Sequence, residues 1–308
     1  MFSDSENGAK NSAQPTKPAD AAKAKRRKKA AFAILFAALL AFVIDAFIYE
    51  PHFALHTQET EIPAPHWTKE LSNLKIALAS DLHCGGSAAS LRLLKKTVAE
   101  INAQKPDIVF LLGDFVNRNA NISRQDLKDM ADEIAKLRAP LGVYAVTGNH
   151  DEIVGAITVI EKLGGAGVKF LNNESVKISS PFGDFYAAGV RDISEGDFDF
   201  FSALKDVPKG APLILLTHVP IYPALPPEAS ATFSGHMHGG QVRLPFIGAL
   251  ISPKILPFNS DNIGLLLTKR GNPIFITGGV GTSRITVRFL CSPVVDIVRL
   301  VPNNAAEN

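Results

Sequence analysis

Five short motifs bring five of this chain's eight histidines together with acids and a carboxamide at spacings that suit metal ligation. They are Asp81 and His83 in DLH, Asp114 in GDFVNR, Asn149, His150 and Asp151 in GNHD, His218 in TH, and His236 and His238 in GHMHGG. Carboxylates, imidazoles and a carboxamide form a mixed N/O donor set, which suits a transition-type divalent cation. Such a cation neutralises an anionic substrate and lowers the pKa of water, the two aids that attack on a phosphate ester needs. Taken singly each motif is weak: D-x-H arises by chance, and a lone His such as His218 is more often a satisfied structural residue. Taken together they are informative, because five of the eight histidines fall inside them and only His52, His56 and His66 lie outside. The two cysteines, Cys84 and Cys291, supply neither a disulfide framework nor a thiolate zinc site, so a metal here falls to His, Asp, Glu or Asn.

Each motif follows a short aliphatic run. LKIALAS leads into Asp81, DIVFLLG into Asp114, GVYAVTG into Asn149, PLILLT into His218 and ATFSG into His236. Runs of this length and composition predict strands, and the segments between them have helical periodicity, the pattern of an α/β sheet. Leu91, Leu94, Val98 and Ile101 share one helical face, with Ser90 as an N-cap, and Leu127, Met130, Ile134 and Leu137 share another. Both stripes read as core. In α/β sheets ligands bind at the carboxyl edge of the strands, where the loops converge, so five strand-end motifs are expected to meet in one crevice. Gly148, Gly235 and Gly239 read as sharp turns beside the ligands. Cys84 reads as a small buried filler rather than a thiolate ligand.

The charge is uneven. Residues 1–29 carry eight Lys or Arg against three acids, a net +5, which leaves −3 for the remainder of a chain of net +2. A nucleic-acid binder is expected to spread basic charge over its folded face, so no nucleic-acid partner is expected. The basic run instead flanks AAFAILFAALLAFVIDAFIY, from Ala30 to Tyr49, whose only charge is Asp45. As a helix it is ~30 Å long, the thickness of a bilayer's hydrocarbon core. It reads as an uncleaved single-pass anchor; a cleavable signal peptide would have a shorter apolar region and a small-residue cleavage site, and KRRKKAAF fits a twin-arginine signal poorly. The positive flank places the N-terminus in the cytoplasm and the rest of the chain on the outer, extracytoplasmic side. The expected organisation is a disordered basic leader (1–29), a transmembrane anchor (30–49), a linker (50–73), one α/β domain (74–302) and a tail (303–308).

Over roughly Lys75 to Leu300 these motifs resemble the calcineurin-like metallophosphoesterase superfamily, whose pattern is DxH, GDxxD or a variant, GNH followed by an acid, a lone H, and GHxH. The resemblance implies a two-sheet β-sandwich flanked by helices, here preceded by one transmembrane helix. It also implies two divalent metals, for which mixed N/O ligation favours Mn, Fe or Zn over Ca or Mg. By resemblance Asp81, His83, Asp114 and His238 hold the first and Asp114, Asn149, His218 and His236 the second. Asp114 is then the bridge, with one carboxylate oxygen expected on each metal. His150 is the implied non-ligand imidazole that protonates the leaving oxygen or steadies phosphoryl charge. Asp151 either orients that ring or caps the following helix. Asn117 departs from the pattern where many members carry a second acid; by resemblance that position is not a metal ligand, so the departure bears on substrate contacts rather than on metal binding.

The continuation GGQVRLPFIGAL and the closing GGVGTSRITVRFLCSPVVDIVRL are similar to the membrane-anchored branch, which includes UDP-2,3-diacylglucosamine pyrophosphatases of lipid A synthesis. The implied activity is phosphodiesterase or pyrophosphatase hydrolysis of a phosphorylated, lipid-linked substrate at a membrane. A general phosphodiesterase on soluble substrates and a non-catalytic metal-dependent scaffold are the alternatives. The apolar stretch from Leu244 to Phe258 either contacts acyl chains or packs against the sheet.

Overall fold

A computed structural model describes residues 18–118, 121–193, 198–220, 225–250 and 263–303. Chain contacts divide the molecule into Met1–Ile44 and Asp45–Asn308. The described part of the first unit is one helix, α1 (Pro18–Ile44), solvent-exposed on Phe32, Ile34, Leu35 and Phe36. Residues 18–29, expected to be disordered, are therefore helical: PADAAKAKRRKK is built from strong helix formers with Pro at the first position. The first 17 residues of the leader lie outside the described residues. From Lys25 to Phe53 the helical stretch is 29 residues, long and apolar enough to cross a membrane.

The second unit opens with a π-helical turn (Asp45–Tyr49) and a short helix, α2 (Glu50–Phe53). The expected linker then contains a nine-residue strand, β1 (His56–Ala64), paired in parallel with the last strand, β14 (Val294–Pro302). Its partner lies more than 200 residues away, so sequence-local signals could not reveal it; Ile62 and Ala64 are its buried side.

Two six-stranded sheets follow. The first runs β1, β14, β2 (Ile76–Ala79), β3 (Ile108–Leu111), β4 (Val143–Ala145), β5 (Val168–Phe170), with β2 to β5 parallel and β14 antiparallel to β2. The second contains β6 (Glu174–Ser180), β7 (Gly183–Gly189), β8 (Leu213–Thr217), β9 (Ala231–Ser234), β12 (Gly264–Leu267) and β13 (Pro273–Ile276), in the order β12-β13-β9-β8-β7-β6. A small hairpin, β10 (Arg243–Leu244) with β11 (Gly248–Ala249), stands apart from both.

Period-two alternation decides which sheet face meets what. Ile76, Leu78, Ile108 and Phe110 join Phe185, Ile214, Leu216 and Phe233 of the other sheet in one core, which makes the sandwich. The intervening Ala77, Ala79, Val109 and Leu111 point the other way, onto α3 (Ala88–Gln104), α4 (Arg124–Ile134) and α6 (Ala156–Gly165) through Leu94, Val98, Ile101, Leu127, Met130, Ile134, Val159 and Leu163. The two predicted apolar stripes are thus core. The N-cap of α3 is Ser87 rather than Ser90: Ser87 has extended backbone and its hydroxyl accepts from the Ser90 N–H.

One buried cation ties the turn after the first helix to a loop more than 200 residues away. Arg288 has no exposed surface, and its guanidinium donates to the carbonyls of Gly278, Gly279, Gly281 and Cys291, while its own N–H donates to Ala46. Beside it the Glu50 carboxylate accepts from the N–H groups of Leu290 and Cys291 and from the Ser292 hydroxyl. Arg288→Met orphans several buried carbonyls at once and is expected to lower stability by at least ~2 kcal/mol, whereas Glu50→Gln, which keeps shape and most acceptors, costs less. Urea unfolding of the full chain in detergent checks both.

Candidate metal centre

The carboxyl ends of β2, β3 and β4 in one sheet and of β8 and β9 in the other meet at one edge of the sandwich. Asp81 and His83 leave β2, Asp114 leaves β3, and Asn149, His150 and Asp151 form the first turn of α5 (Asn149–Val154) after β4. His218 follows β8, and His236 and His238 follow β9. Five of these residues, Asp81, His83, Asp114, His236 and His238, have φ between 43° and 68°. Left-handed backbone costs a residue with a Cβ ~1–2 kcal/mol, and its concentration in five side chains of one cluster marks a functional site.

The side chains form two groups that share Asp114: Asp81, His83, Asp114 and His238, and Asp114, His218 and His236. In the first, the Nε2 atoms of His83 and His238 face each other at 3.0 Å, and Asp81 Oδ1 lies 3.2 Å from His238 Nε2. In the second, His236 Nδ1 is 3.1 Å from Asn149 Oδ1 and 3.3 Å from His218 Nε2. Asp114 Oδ2 stands between them, 3.5 Å from His83 Nε2 and 3.4 Å from His218 Nε2. Its other oxygen, Oδ1, accepts the His150 N–H at 2.8 Å. This corrects the expectation of one oxygen per group: the same oxygen serves both, because the backbone of α5 occupies the second.

The donor set fits a divalent cation. Asp81 Oδ1 is buried without a hydrogen-bond partner, and the facing imidazole nitrogens converge beside it, an arrangement of electron-pair donors that a cation resolves. Burial, with His238 close by, holds His83 down to about 3, and burial, with His218 close by, holds His236 at about 4, so both rings present lone pairs at neutral pH. His218 behaves oppositely. Against the cost of burial, the Asp114 carboxylate raises it well above the usual imidazole range. Its Nδ1 is anchored on the Leu112 carbonyl at 2.7 Å, which leaves Nε2 facing Asp114.

His150 and Asp151 play different parts from each other. His150 is buried, its Nε2 lies 4.0 Å from Asp114 Oδ2, and its Nδ1 accepts the Arg118 N–H. That bond leaves the proton of the neutral ring on Nε2, facing the cluster. Asp151 makes no hydrogen bond to the His150 ring; its carboxylate accepts from the N–H groups of Gly148, Phe115 and Val116. It ties the start of α5 to the loop after β3, so the capping alternative is the one the geometry meets. Burial and the nearby Asp114 push its carboxyl up to about 8 against those three donors. Cys84 is buried in the helix-side core with its thiol pushed up to about 11, mainly by burial, and is a filler.

Two of the three glycines serve close approach rather than a turn. A Cβ at Gly148 would strike Asp114, and one at Gly235 would strike Ser80 and come within 2.8 Å of Asp81 Oδ2; only Gly239 has positive φ. Of the stretch from Leu244 to Phe258, residues 251–262 lie outside the described residues.

A match to the family model of calcineurin-like phosphoesterases spans residues 74–246, the segment that carries every one of these side chains. The chain belongs to the calcineurin-like phosphoesterase family. It is 32% identical to an uncharacterized metallophosphoesterase of Aquifex aeolicus, over 85% of this chain and 97% of that one. It is 29% identical to phosphodiesterase YaeI of Escherichia coli (74% and 82%) and 28% identical to a transmembrane protein with metallophosphoesterase domain of Danio rerio (78% and 56%). The protein is a metallophosphoesterase, a metal-dependent hydrolase of phosphoester bonds, and its Asp/His cluster is the candidate divalent-metal site.

Sequence reasoning missed the residues that brace the ligands. Arg288 holds the loop Gly278–Gly281, whose N–H groups at Val280 and Gly281 bind the carbonyls of Ser80 and Asp81. Cys291 Sγ donates to the carbonyl of His238. The repeated glycines of GGVG were the one local signal; a fully buried arginine has none. Such supporting contacts commonly fix ligand orientation.

Two outcomes follow. Gly235→Ala should lower turnover at least tenfold while leaving the circular dichroism spectrum unchanged, because its methyl displaces Asp81; wild-type kinetics and metal content would refute the close-approach role. Metal loading should release about one proton at neutral pH as the cation displaces the one on His218, and should weaken as pH falls. Calorimetry with Mn²⁺ in two buffers of different ionisation enthalpy reads that proton directly.

Proposed function

We propose that the protein is a membrane-anchored phosphodiesterase or pyrophosphatase using two divalent metals of the Mn, Fe or Zn type. The observation that carries the two-metal reading is the single oxygen, Asp114 Oδ2, placed almost equally between His83 and His218. Asp81, His83 and His238 would complete one site, and Asn149, His218 and His236 the other. Bound there, the metals would supply charge neutralisation and a water of lowered pKa.

The chain's own residues do the rest. Asp81 and Asp114 are held as anions, Asp81 well below the usual carboxylate range against the cost of burial by His238 and its neighbours. His150 presents Nε2–H toward the cluster and is placed to hydrogen-bond a phosphoryl oxygen or to protonate the departing one. A polar cleft of about 70 Å³ runs beside His83, lined among others by Ser87, Asn117, Thr282 and Thr286, whose side chains can bind phosphate or sugar oxygens. Asn117, the departure from the family pattern, is one of these lining residues. Completeness of the donor set argues for catalysis over the scaffold alternative.

The apolar helix and the resemblance to the membrane-anchored branch favour a lipid-linked substrate, with UDP-2,3-diacylglucosamine the first to test. The basic flank of α1 favours an outward-facing domain, which fits an undecaprenyl-type or phospholipid phosphate, or a soluble diester, better than a cytoplasmic precursor. A reporter fused at Asn308 and active only in the cytoplasm would reverse that orientation.

Asp114→Ala and His236→Ala should each abolish hydrolysis of a model aryl diester with the fold intact; unchanged turnover by either would sink the assignment. His150→Ala should keep its metal and lose ~10²–10⁴-fold in rate. UMP release from UDP-diacylglucosamine in detergent with Mn²⁺ identifies that substrate, and a rate no better than on a soluble aryl diester points to a general phosphodiesterase.

A further inference from the structure

Three segments far apart in sequence are stitched side by side next to the metal centre. The Arg288 N–H donates to Ala46, and Glu50 accepts from Leu290 and Cys291, which binds the residues just after α1 to the loop 283–292. That loop is bonded in turn to the strand leading into the hairpin: Gln241 donates its side-chain N–H to the carbonyls of Ile285 and Val287, and Arg243 N–H donates to Phe289. The hairpin β10–β11 follows directly, five residues beyond His238.

Each segment exposes large apolar side chains. The hairpin tip carries Phe246, fully exposed, and Ile247, 70% exposed, with Leu250 just beyond; the loop carries Ile285 and Leu290; and the helical turns carry Phe47, Ile48 and Tyr49. Phe246 sits at φ 66°, a conformation glycine or asparagine takes at far lower cost. Keeping an aromatic ring there, wholly out of the core, needs a reason other than folding stability. Large exposed apolar patches on soluble surfaces are uncommon and mark interaction sites.

The charge on the hairpin and the loop is basic, while the helical turns carry Asp45 and Glu50, the latter buried and bonded to the loop. Residues 235–250 and 278–295 contain Arg243, Arg284 and Arg288 and no Asp or Glu, and Arg284 is exposed. The cleft beside His83 is walled by Pro51 and His52 of α2 and by Thr286 of the loop, so the apolar rim also borders the cleft.

We propose that these segments form a lip that seats the catalytic domain on the lipid bilayer, with Phe246 and Ile247 buried among the acyl chains and Arg284 at anionic head groups. The lip rests on the reading of α1 as a membrane span. A bilayer is the occupant that fits, because Phe47, Ile48 and Tyr49 continue in sequence the apolar run of α1, and exposed apolar side chains beside the exposed Arg284 match an anionic lipid interface. The cleft then opens at head-group level, where a phosphodiester attached to a lipid enters without leaving the membrane.

The test uses the full chain in vesicles of phosphatidylethanolamine and phosphatidylglycerol at three to one. Phe246→Cys and, separately, Phe201→Cys are labelled with an environment-sensitive fluorophore; Phe201 is an 82% exposed aromatic on the short helix α7 (Phe200–Leu204), and native Cys84 and Cys291 are buried. Unchanged hydrolysis of a soluble aryl diester verifies that both variants fold. With nitroxide on the lipid acyl chains, the label at 246 should be quenched at least twofold and the label at 201 should not. Equal quenching at both positions, or none at 246, overturns the lip. An unquenched 246 label whose emission changes with protein density instead assigns this face to a second copy of the chain. Retention after alkaline carbonate reads the span separately: a retained chain with an unquenched 246 label loses the lip alone, whereas a stripped chain loses both.

Discussion

The constraint on which the molecule depends is the confinement of two carboxylates and several imidazoles in a space nearly closed to water. Asp81 and Asp114 are essentially inaccessible, and no Lys or Arg forms an ion pair with either among the described residues. An isolated ionised carboxylate in such a place is very costly. What offsets the cost is the ring of histidines, amide N–H groups aimed at single oxygens, and the capacity of the set to hold a divalent cation. His236 N–H on Asp81 Oδ2 and His150 N–H on Asp114 Oδ1 each occupy one oxygen and leave the other turned into the cluster.

That demand shapes the surrounding fold. The cluster's side chains come from two sheets, so the sandwich must hold the carboxyl ends of five strands in register, and the dense core between the sheets supplies the rigidity. Backbone approaches too closely for side chains at Gly148 and Gly235, and five ligand positions bear left-handed backbone. Such local costs persist where the neighbouring structure leaves no alternative. The Asp151 carboxylate, holding three amides from two loops, and Arg288, holding four carbonyls, are the two devices that remove the alternatives. Arg288 also joins the site to the segment that follows the apolar helix, so the cluster and that segment share one buried guanidinium.

Much of this was legible in order of residues alone. Strands that end in ligands announce themselves because aliphatic runs and the donors that follow them are local, and every one of the seven proposed ligands lies in the cluster the structure builds. Amphipathic stripes in α3 and α4 were readable for the same reason. Less was legible wherever the partner is distant. Strand β1 reads as a linker because its nine residues become a strand only against β14; Ser87 rather than Ser90 caps α3 because of its extended backbone and the bond its hydroxyl accepts; Asp151 is claimed by the amides of Phe115 and Val116 in a distant loop and of Gly148 in its own.

The sequence by itself thus determined the donor set, the strand ends that carry it and the apolar span before it, since those depend on residue type and short-range period. Tertiary structure alone decided that one oxygen of Asp114 faces both groups, that His150 points its Nε2 proton at the cluster, and that Glu50 and Arg288 join the turns after the first helix to the loop 278–292. Each of those is a hydrogen-bonding choice among groups brought together only by folding, and no spacing along the chain encodes which oxygen or nitrogen a distant amide will take.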